Sequence, residues 1–323
     1  MTTDVLQHPA VRDLAWVMRS PGLLDAAYYA KHQHPKPHQT GAVIIDDGYC
    51  QQLYRQQHAW LRQLDQDPQT LLAWLAQRKS HRLGYYFEDL VEYWLRHLVA
   101  DGFVASHVPV RRGKQTLGEF DFLFAQAGAR ALQHWEVAVK FYLAQRHADG
   151  RVLFYGPQAR DRLDLKVARL LEHQAVLAHT DAGQAVIAQQ GYASVMAQVL
   201  LKGYLFYPAD MDWDSAPLPC AGISPTHLRG WWTRIDALQI PAASTASRWC
   251  RVPRLAWLAP VRVAAGHAQA LVTQADLAGF CRDQFARRAE PFMLAELAAA
   301  EDGSWREISR GFVVHGHWPQ ADA

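Results

Sequence analysis

The sequence predicts a mixed α/β fold, and three observations lead to that prediction. A helix is predicted where Phe87, Leu90, Trp94 and Leu98 recur at helical spacing. Three segments with strand character follow this helix along the chain. An amphipathic helix and a fourth strand come next. The order helix, three strands, helix, strand indicates a mixed α/β core over residues 80–208.

The region before this core, residues 1–79, is predicted to be helical. Its first helix places four apolar residues on one face: Val11, Leu14, Ala15 and Met18. Two further amphipathic helices are predicted on either side of Asp67-Pro68, because proline disfavours a helical residue before it. The polar loop between the first helix and these two helices, "KHQHPKPHQTG", contains three histidines. These histidines bind a metal ion in one interpretation and belong to an extended exposed loop in the other.

Charged residues of the predicted core lie on one face of two strands. Successive strand side chains point to opposite faces. In "HWEVAVKF" Glu136 and Lys140 therefore share a face, and in "GEFDFLF" Glu119 and Asp121 share one, while the opposite faces are wholly apolar. Ordinary surface charges on a water-exposed sheet would produce the same pattern, so both a solvated face and a functional site remain open.

A third acid, Glu88, lies in the preceding helix near the edge of its buried face. A helix acid and two strand acids followed by a lysine resemble the PD-(D/E)xK nuclease superfamily, whose core has the same order of elements. The resemblance implies a restriction-endonuclease-like core in which acids hold one or two Mg²⁺ (or Mn²⁺) ions. Asp121 would be the central ligand, Glu136 the second and Glu88 an auxiliary one, with the Val137 carbonyl as a further candidate. Carboxylate oxygens are the ligands that Mg²⁺ prefers.

The lysine departs from the superfamily pattern. The pattern places it two residues after the acid, where this chain has Ala138. Lys140 is on the same face as Glu136, but it lies about 13 Å further along at about 3.3 Å per strand residue. Lys140 is the predicted catalytic lysine, and Lys166 on the next helix is the second candidate.

The chain as a whole is similar to an uncharacterised bacterial family, domain of unknown function 1853. The stretches that carry this resemblance run nearly from end to end, and they include "VRDLAWVMRSP", "RLGYYFEDLVEYWL", "LGEFDFLF", "HWEVAVKFYL", "GPQARDRLDLKVARLL", "KGYLFYP" and "GSWREISRGFVV". The family is grouped with restriction-endonuclease-like folds. The resemblance implies the fold and brings no established substrate.

The last third, residues 209–323, is predicted to be an α+β extension packed on the core. Strands are predicted for "RLAWLAPVRV", "PFMLAEL" and "WREISRGFVV", with a helix in "TQADLAGFCRDQFARRAE". The chain would then have three parts: a helical region 1–79, a nuclease-like core 80–208 and the extension.

Basic residues beside the predicted acids suggest contacts with DNA phosphates. Arg160, Arg162 and Lys166 lie together in "GPQARDRLDLK". In an equally weighted alternative, Asp161, Arg162 and Lys166 form ion pairs on the helix surface at i,i+4 spacing. The tryptophans of the last third are expected to be core residues rather than base-stacking platforms.

Bulk composition and absent motifs narrow the function classes. The 323 residues are 50% hydrophobic and carry a net charge of +2, which makes no case by itself for nucleic acid or membrane binding. Four widely spaced cysteines without a CxxC pair exclude a zinc ribbon or a disulfide scaffold. No signal-peptide pattern is seen and the most apolar run is too short to span a bilayer, so a cytoplasmic location is predicted. Phosphate-loop and dinucleotide motifs are absent, so no nucleotide cofactor is expected.

The sequence thus favours a Mg²⁺-dependent nuclease that hydrolyses phosphodiester bonds in DNA, with Asp121, Glu136 and Lys140 as its catalytic residues. Because Ala138 occupies the usual lysine position, a catalytically inactive nuclease-like fold that binds nucleic acid or protein is the alternative. A protein-interaction subunit that uses the tryptophan-rich last third is a further alternative. The sequence predicts no oligomeric state.

Overall fold

The structure is a computed structural model that describes residues 6–32, 43–78, 80–99, 102–125, 131–174, 176–215, 218 and 221–320. Most of the histidine-containing loop, residues 33–41, lies outside this part of the chain. The chain divides into two compact units. Unit 1 comprises Met1–Val139, Leu165–Lys202 and Ala221–His227, and unit 2 comprises Lys140–Asp164, Gly203–Cys220 and Leu228–Ala323. The three-part division predicted from the sequence remains a prediction.

The described part of the first hundred residues is mainly helical. Its elements are α1 (Pro9–Arg19), α2 (Ala26–His32), β1 (Val43–Ile44), α3 (Asp47–Gln56), α4 (His58–Gln66), α5 (Gln69–Ala76) and α6 (Leu83–Val99). The predicted break at Asp67-Pro68 separates α4 from α5. A further break at Gln57, which the sequence pattern did not indicate, separates α3 from α4.

The middle of the chain contains the strands and helices that carry the predicted acids. They are β2 (Phe103–Arg112), β3 (Gln115–Phe124), β4 (Leu132–Arg146), β5 (Val152–Tyr155), α7 (Leu163–Arg169), α8 (Asp181–Gln189) and β6 (Val195–Pro208). A π-helical turn, Leu170–Gln174, extends α7, and a 3₁₀ turn, Leu177–His179, precedes α8. The long amphipathic helix predicted here is therefore divided into shorter pieces.

The last third is mainly strands with one α-helix among its described residues. Its elements are β7 (Leu228–Arg234), β8 (Arg248–Val252), β9 (Arg262–Val263), β10 (Val272–Thr273), α9 (Leu277–Arg287), β11 (Phe292–Ala299) and β12 (Trp305–Val314). The helix and the strands predicted in "PFMLAEL" and "WREISRGFVV" are confirmed.

The strands pair in a mixed sheet, and this confirms the predicted α/β class. In unit 1 the strand order is β2-β3-β4-β6, with β1 parallel to β6. In unit 2 the order is β6-β7-β12-β11-β8-β10, with β5 beside β4 and β9 beside β12. Twelve strands are present among the described residues, so the sheet is larger than the sequence predicted.

One predicted strand, "RLAWLAPVRV", is wrong. Arg254–Ala256 forms a 3₁₀ turn, and only Arg262–Val263 pairs as a strand. The buried Arg310 side chain donates hydrogen bonds to the carbonyl oxygens of Trp257 and Ala259. These carbonyls are satisfied by a side chain instead of a neighbouring strand, so the segment runs as an irregular buried loop.

Trp135 of β4 fixes helix α6 on one face of the unit 1 strands. Its ring packs against Trp94 of α6, with centroids 5.6 Å apart, and against Phe124 of β3 at 5.4 Å. Its Nε1 atom donates a hydrogen bond of 2.8 Å to Gln198 of β6. These contacts determine where the acidic residue of α6 lies relative to β3 and β4.

A buried hydrogen bond ties α6 to α1, and its removal should destabilise the protein. The Tyr86 hydroxyl donates to Asp13 Oδ2 at 2.8 Å, and both side chains are buried. We expect Tyr86→Phe to lower the free energy of unfolding by about 1–2 kcal/mol, because the buried carboxylate loses a donor. Urea unfolding checks this, with Tyr85→Phe on the exposed side of the same helix as the control. Equal stabilities of the two variants would contradict the prediction.

Candidate functional site

Glu136 lies in the middle of β4 and is buried. Only 1% of its surface is exposed, and its Oε2 atom has no hydrogen-bond partner among the described residues. Burial raises the pKa of this carboxyl to about 9, and the nearby Asp121 and Glu88 carboxylates act in the same direction. Glu136 is therefore not an ordinary solvated charge on an exposed sheet.

The second face of β4 is covered as well where the strand begins. Leu132 packs in an apolar cluster with Leu177 of the 3₁₀ turn and Ile187 of α8. Leu132 and Glu136 point to the same face because strand side chains alternate. The sequence suggested one core face and one open face, whereas both faces of this strand are buried here.

Asp121 of β3 lies next to Glu136. Phe122 of β3 pairs with Trp135 of β4, and Asp121 and Glu136 are the next residues beyond this pair on the two strands. Asp121 Oδ2 accepts a hydrogen bond of 2.9 Å from the backbone N–H of Val137. Burial raises the pKa of Asp121 to about 6, and this hydrogen bond opposes the rise because it favours the ionised form. Asp121 is therefore held in place by the backbone of the strand that carries the second acid.

Glu88 of α6 is the third acid of the group. It is half-buried, and its neighbours Phe87 and Leu90 are fully buried on the same helix. Burial and, to a lesser extent, the Asp121 carboxylate raise the pKa of Glu88 to about 7. The helix and the two strands thus bring three acids close enough for their charges to interact. We call Glu88, Asp121 and Glu136 the acidic cluster.

Two residues that the site prediction left out border the acidic cluster. His107 of β2 has a φ of 53°, unusual for a residue other than glycine, and its Nδ1 lies 3.2 Å from Glu119 Oε1. Positive charge on His107 would lower the pKa of both Asp121 and Glu88, in opposition to burial. Strand alternation does place Glu119 on the Asp121 face, but no sequence pattern indicates the positive φ of His107.

His134 is a third residue that the site prediction left out. It is fully buried, and its Nε2 atom lies 3.8 Å from Glu136 Oε2. Burial lowers the pKa of this imidazole to about 3, so the ring is neutral at physiological pH. Neither ring nitrogen has a hydrogen-bond partner among the described residues, although the ring packs edge-on against Phe120. Buried polar atoms are normally hydrogen-bonded, so this pair of side chains is unusual.

The two candidate lysines have different surroundings. Lys140 Nζ forms an ion pair of 2.8 Å with Asp161, whose carboxylate also accepts a hydrogen bond from Tyr142. Lys166, on α7 in unit 1, is half-buried. Its positive charge lowers the pKa of both strand acids of the acidic cluster, against the larger effect of burial. Lys166 is therefore the lysine that interacts electrostatically with the acidic cluster.

The predicted DNA-contacting arginines lie in unit 2, whereas Lys166 lies in unit 1. Arg162 donates to the Asp164 carboxylate at 3.0 Å, which is an ion pair two residues apart rather than at the helical spacing predicted. Arg160 is exposed and lines a cavity of about 170 Å³ together with His315 and His317. The assignment of these residues to DNA phosphates stays a prediction.

The acidic cluster has the right donor chemistry for a hard divalent cation. Three carboxylates with raised pKa values and one buried carboxylate oxygen without a partner would each gain from a neighbouring positive charge. Within the described ranges, no three histidine, cysteine or acidic side chains are already arranged as a set of metal ligands. Asp121 and Glu136, on adjacent strands, are therefore the two residues best placed to begin such a site.

No helix in the described part of the chain is long and apolar enough to cross a membrane.

Of the comparisons with known proteins, the one with family models gives a match. Neither the curated proteins nor the solved structures include a match. The family model described as "Domain of unknown function (DUF1853)" matches residues 12–314. That match spans nearly the entire chain, and the chain therefore belongs to the DUF1853 family.

Proposed function

We propose that this protein is a divalent-cation-dependent nuclease that hydrolyses phosphodiester bonds in DNA. The observation that carries the proposal is the buried Glu136 oxygen without a partner, next to Asp121 on the adjacent strand. The buried Glu136 is costly to ionise because burial and the neighbouring Asp121 carboxylate both raise its pKa, and cation binding is a chemical reason to keep the two acids together. The resemblance of the segment from α6 to β6 to the PD-(D/E)xK core gives the proposal its reaction class.

The residues of this chain would have distinct roles. Asp121, held by the Val137 amide, and Glu136 would bind Mg²⁺ or Mn²⁺, and Glu88 would contribute directly or through water. When bound, such a cation neutralises charge on the phosphate and activates water. The Lys166 ammonium would stabilise the negative charge that develops on the phosphate in the transition state.

A cleavage assay on several nucleic acids tests this proposal. Purified protein with Mg²⁺ or Mn²⁺ should cut at least one of single-stranded DNA, double-stranded DNA and branched DNA, and EDTA should stop the reaction. RNA is the comparison substrate. An inactive wild-type protein on all the DNA substrates, at a cation concentration that saturates the site, would refute the proposal.

The two candidate lysines allow a matched comparison. Lys166→Met should reduce the rate of cleavage by roughly tenfold or more, because the transition state loses a nearby positive charge. Lys140→Met should have a much smaller effect, because Lys140 is engaged by Asp161. Initial rates on the preferred substrate measure both. The reverse order of effects would assign the role to Lys140, as the strand pattern predicts.

A binding module without catalysis is the second candidate, and the alanine at position 138 favours it. This function predicts DNA binding that weakens as salt increases, without turnover. Arg160→Glu should then weaken binding, while Arg287→Glu, a change at another exposed arginine of unit 2, serves as the charge-matched control. Binding that is unaltered by Arg160→Glu would count against the use of this surface for DNA.

A further inference from the structure

A cavity of about 450 Å³ in unit 1 lies next to the acidic cluster, and the functions considered above do not use it. Seven residues line it: Leu117, Gly118, Leu165, Ala168, Arg169, Glu172 and Leu177. Its volume lies within the range of about 300–1,000 Å³ that is typical of sites for small molecules. We call it the α7 cavity.

The α7 cavity is lined by residues of β3 and α7, two elements that also carry charged residues at the acidic cluster. On β3, Leu117 and Gly118 directly precede Glu119 and are followed by Asp121. On α7, residues 165, 168 and 169 surround Lys166, whose charge acts on both strand acids. A ligand in this cavity would therefore lie within a few residues, along both β3 and α7, of the groups that the proposed function places around the scissile phosphate.

The lining of the α7 cavity combines apolar surface with one charge of each sign. Leu165 is 60% exposed and supplies apolar surface to the cavity. Arg169 and Glu172 are exposed and three residues apart, so they lie on the same side of the helix. Within the described ranges, neither side chain is paired in a salt bridge. The helix widens into a π-helical turn at Leu170–Gln174, and such turns are frequent at functional sites.

We propose that the α7 cavity binds a nucleobase of the substrate, with guanine as the preferred base; this inference rests on the proposed function. The flat faces of the base would contact Leu165 and the other leucines. The Arg169 guanidinium would donate to O6 of the base, and the Glu172 carboxylate would accept from N1–H and the N2 amino group. Guanine offers an acceptor beside two donors on one edge, whereas cytosine and thymine offer fewer matching groups to this pair.

Binding of nucleoside 5′-monophosphates tests this inference separately from catalysis. Calorimetry on the full chain, with GMP, AMP, CMP and TMP as probes, should show the highest affinity for GMP. Arg169→Ala and Glu172→Gln should each weaken GMP binding by roughly tenfold, the size expected for one good polar contact to a base. Arg55→Ala, which removes an exposed arginine that does not line the cavity, should leave GMP binding unchanged.

The outcomes are distinguishable from those of the cleavage assay. No GMP binding, or GMP binding that both cavity variants leave unaltered, would overturn the nucleobase site even if DNA is cut. GMP binding that the cavity variants weaken would support the site even in a protein that cuts no DNA, and the nuclease proposal alone would then fail.

Discussion

Replacing Glu136 by glutamine should abolish cation-dependent DNA cleavage, with a loss of rate of about 10³-fold or more. Glutamine has nearly the same shape but no negative charge, so it removes a ligand of the proposed cation and leaves the packing of β4 intact. Loss of cation-assisted charge stabilisation costs several kcal/mol in the transition state, which corresponds to several factors of ten in rate. Initial cleavage rates in saturating Mg²⁺ measure the effect.

The control for this variant is Glu301→Gln, which changes an exposed glutamate of unit 2. It should cleave at the wild-type rate. A Glu136→Gln protein that is folded and retains cleavage within tenfold of wild type would contradict the assignment of Glu136 to the site.

The same substitution should stabilise the cation-free protein at alkaline pH. Burial raises the pKa of Glu136 from 4.5 to about 9, so the folded state binds more protons than the unfolded state between these values. The free energy of unfolding therefore falls as pH rises through this window, and the full contribution is present only below about pH 4.5. Glutamine cannot ionise, so the free energy of unfolding of the variant does not fall for this reason as the pH rises. At pH 9 we expect it to exceed wild type by several kcal/mol, on the order of 6 kcal/mol for a pKa difference of this size.

Urea unfolding in EDTA at pH 6, 7.5 and 9 measures this difference. The gap between Glu136→Gln and wild type should widen steadily with pH, while Glu301→Gln should follow wild type. Parallel curves for wild type and Glu136→Gln would show that Glu136 ionises without cost in the folded protein. The proposal that a bound cation offsets the cost of ionising Glu136 would then lose its support.

The local sequence pattern was sufficient to predict the helices and strands whose apolar periodicity extends over many residues. The apolar stripe of α6 and the alternation in β3 and β4 predicted these elements, and Asp67-Pro68 predicted the break between α4 and α5. Strands such as β1, β9 and β10 have only two residues, too few to show any periodicity. The segment "RLAWLAP" reads as a strand because its packing as a loop depends on Arg310, about 50 positions further along the chain.

The surroundings of the candidate site depend on contacts between distant segments. Alternation placed Asp121 and Glu136 on one face of their strands, but it could not show that the 3₁₀ turn and α8 cover that face. The burial of Glu136 raises its pKa, and the alternation within β4 does not indicate that burial. Strand position similarly favoured Lys140, whereas the electrostatic partner of the acids is Lys166 on the following helix. The packing of α7 determines which lysine lies near the acids, and the sequence pattern of β4 alone contains no information about that packing.

The affinity of the protein for Mn²⁺ tests the central claim, that Asp121 and Glu136 hold a divalent cation. Calorimetric titration at pH 8 should show Mn²⁺ binding to the wild-type protein, and Asp121→Asn and Glu136→Gln should each weaken it by at least about tenfold, because a hard cation loses a charged oxygen ligand. Glu301→Gln should bind like wild type. Absence of Mn²⁺ binding by the wild-type protein, or wild-type affinity in both site variants, would contradict the account.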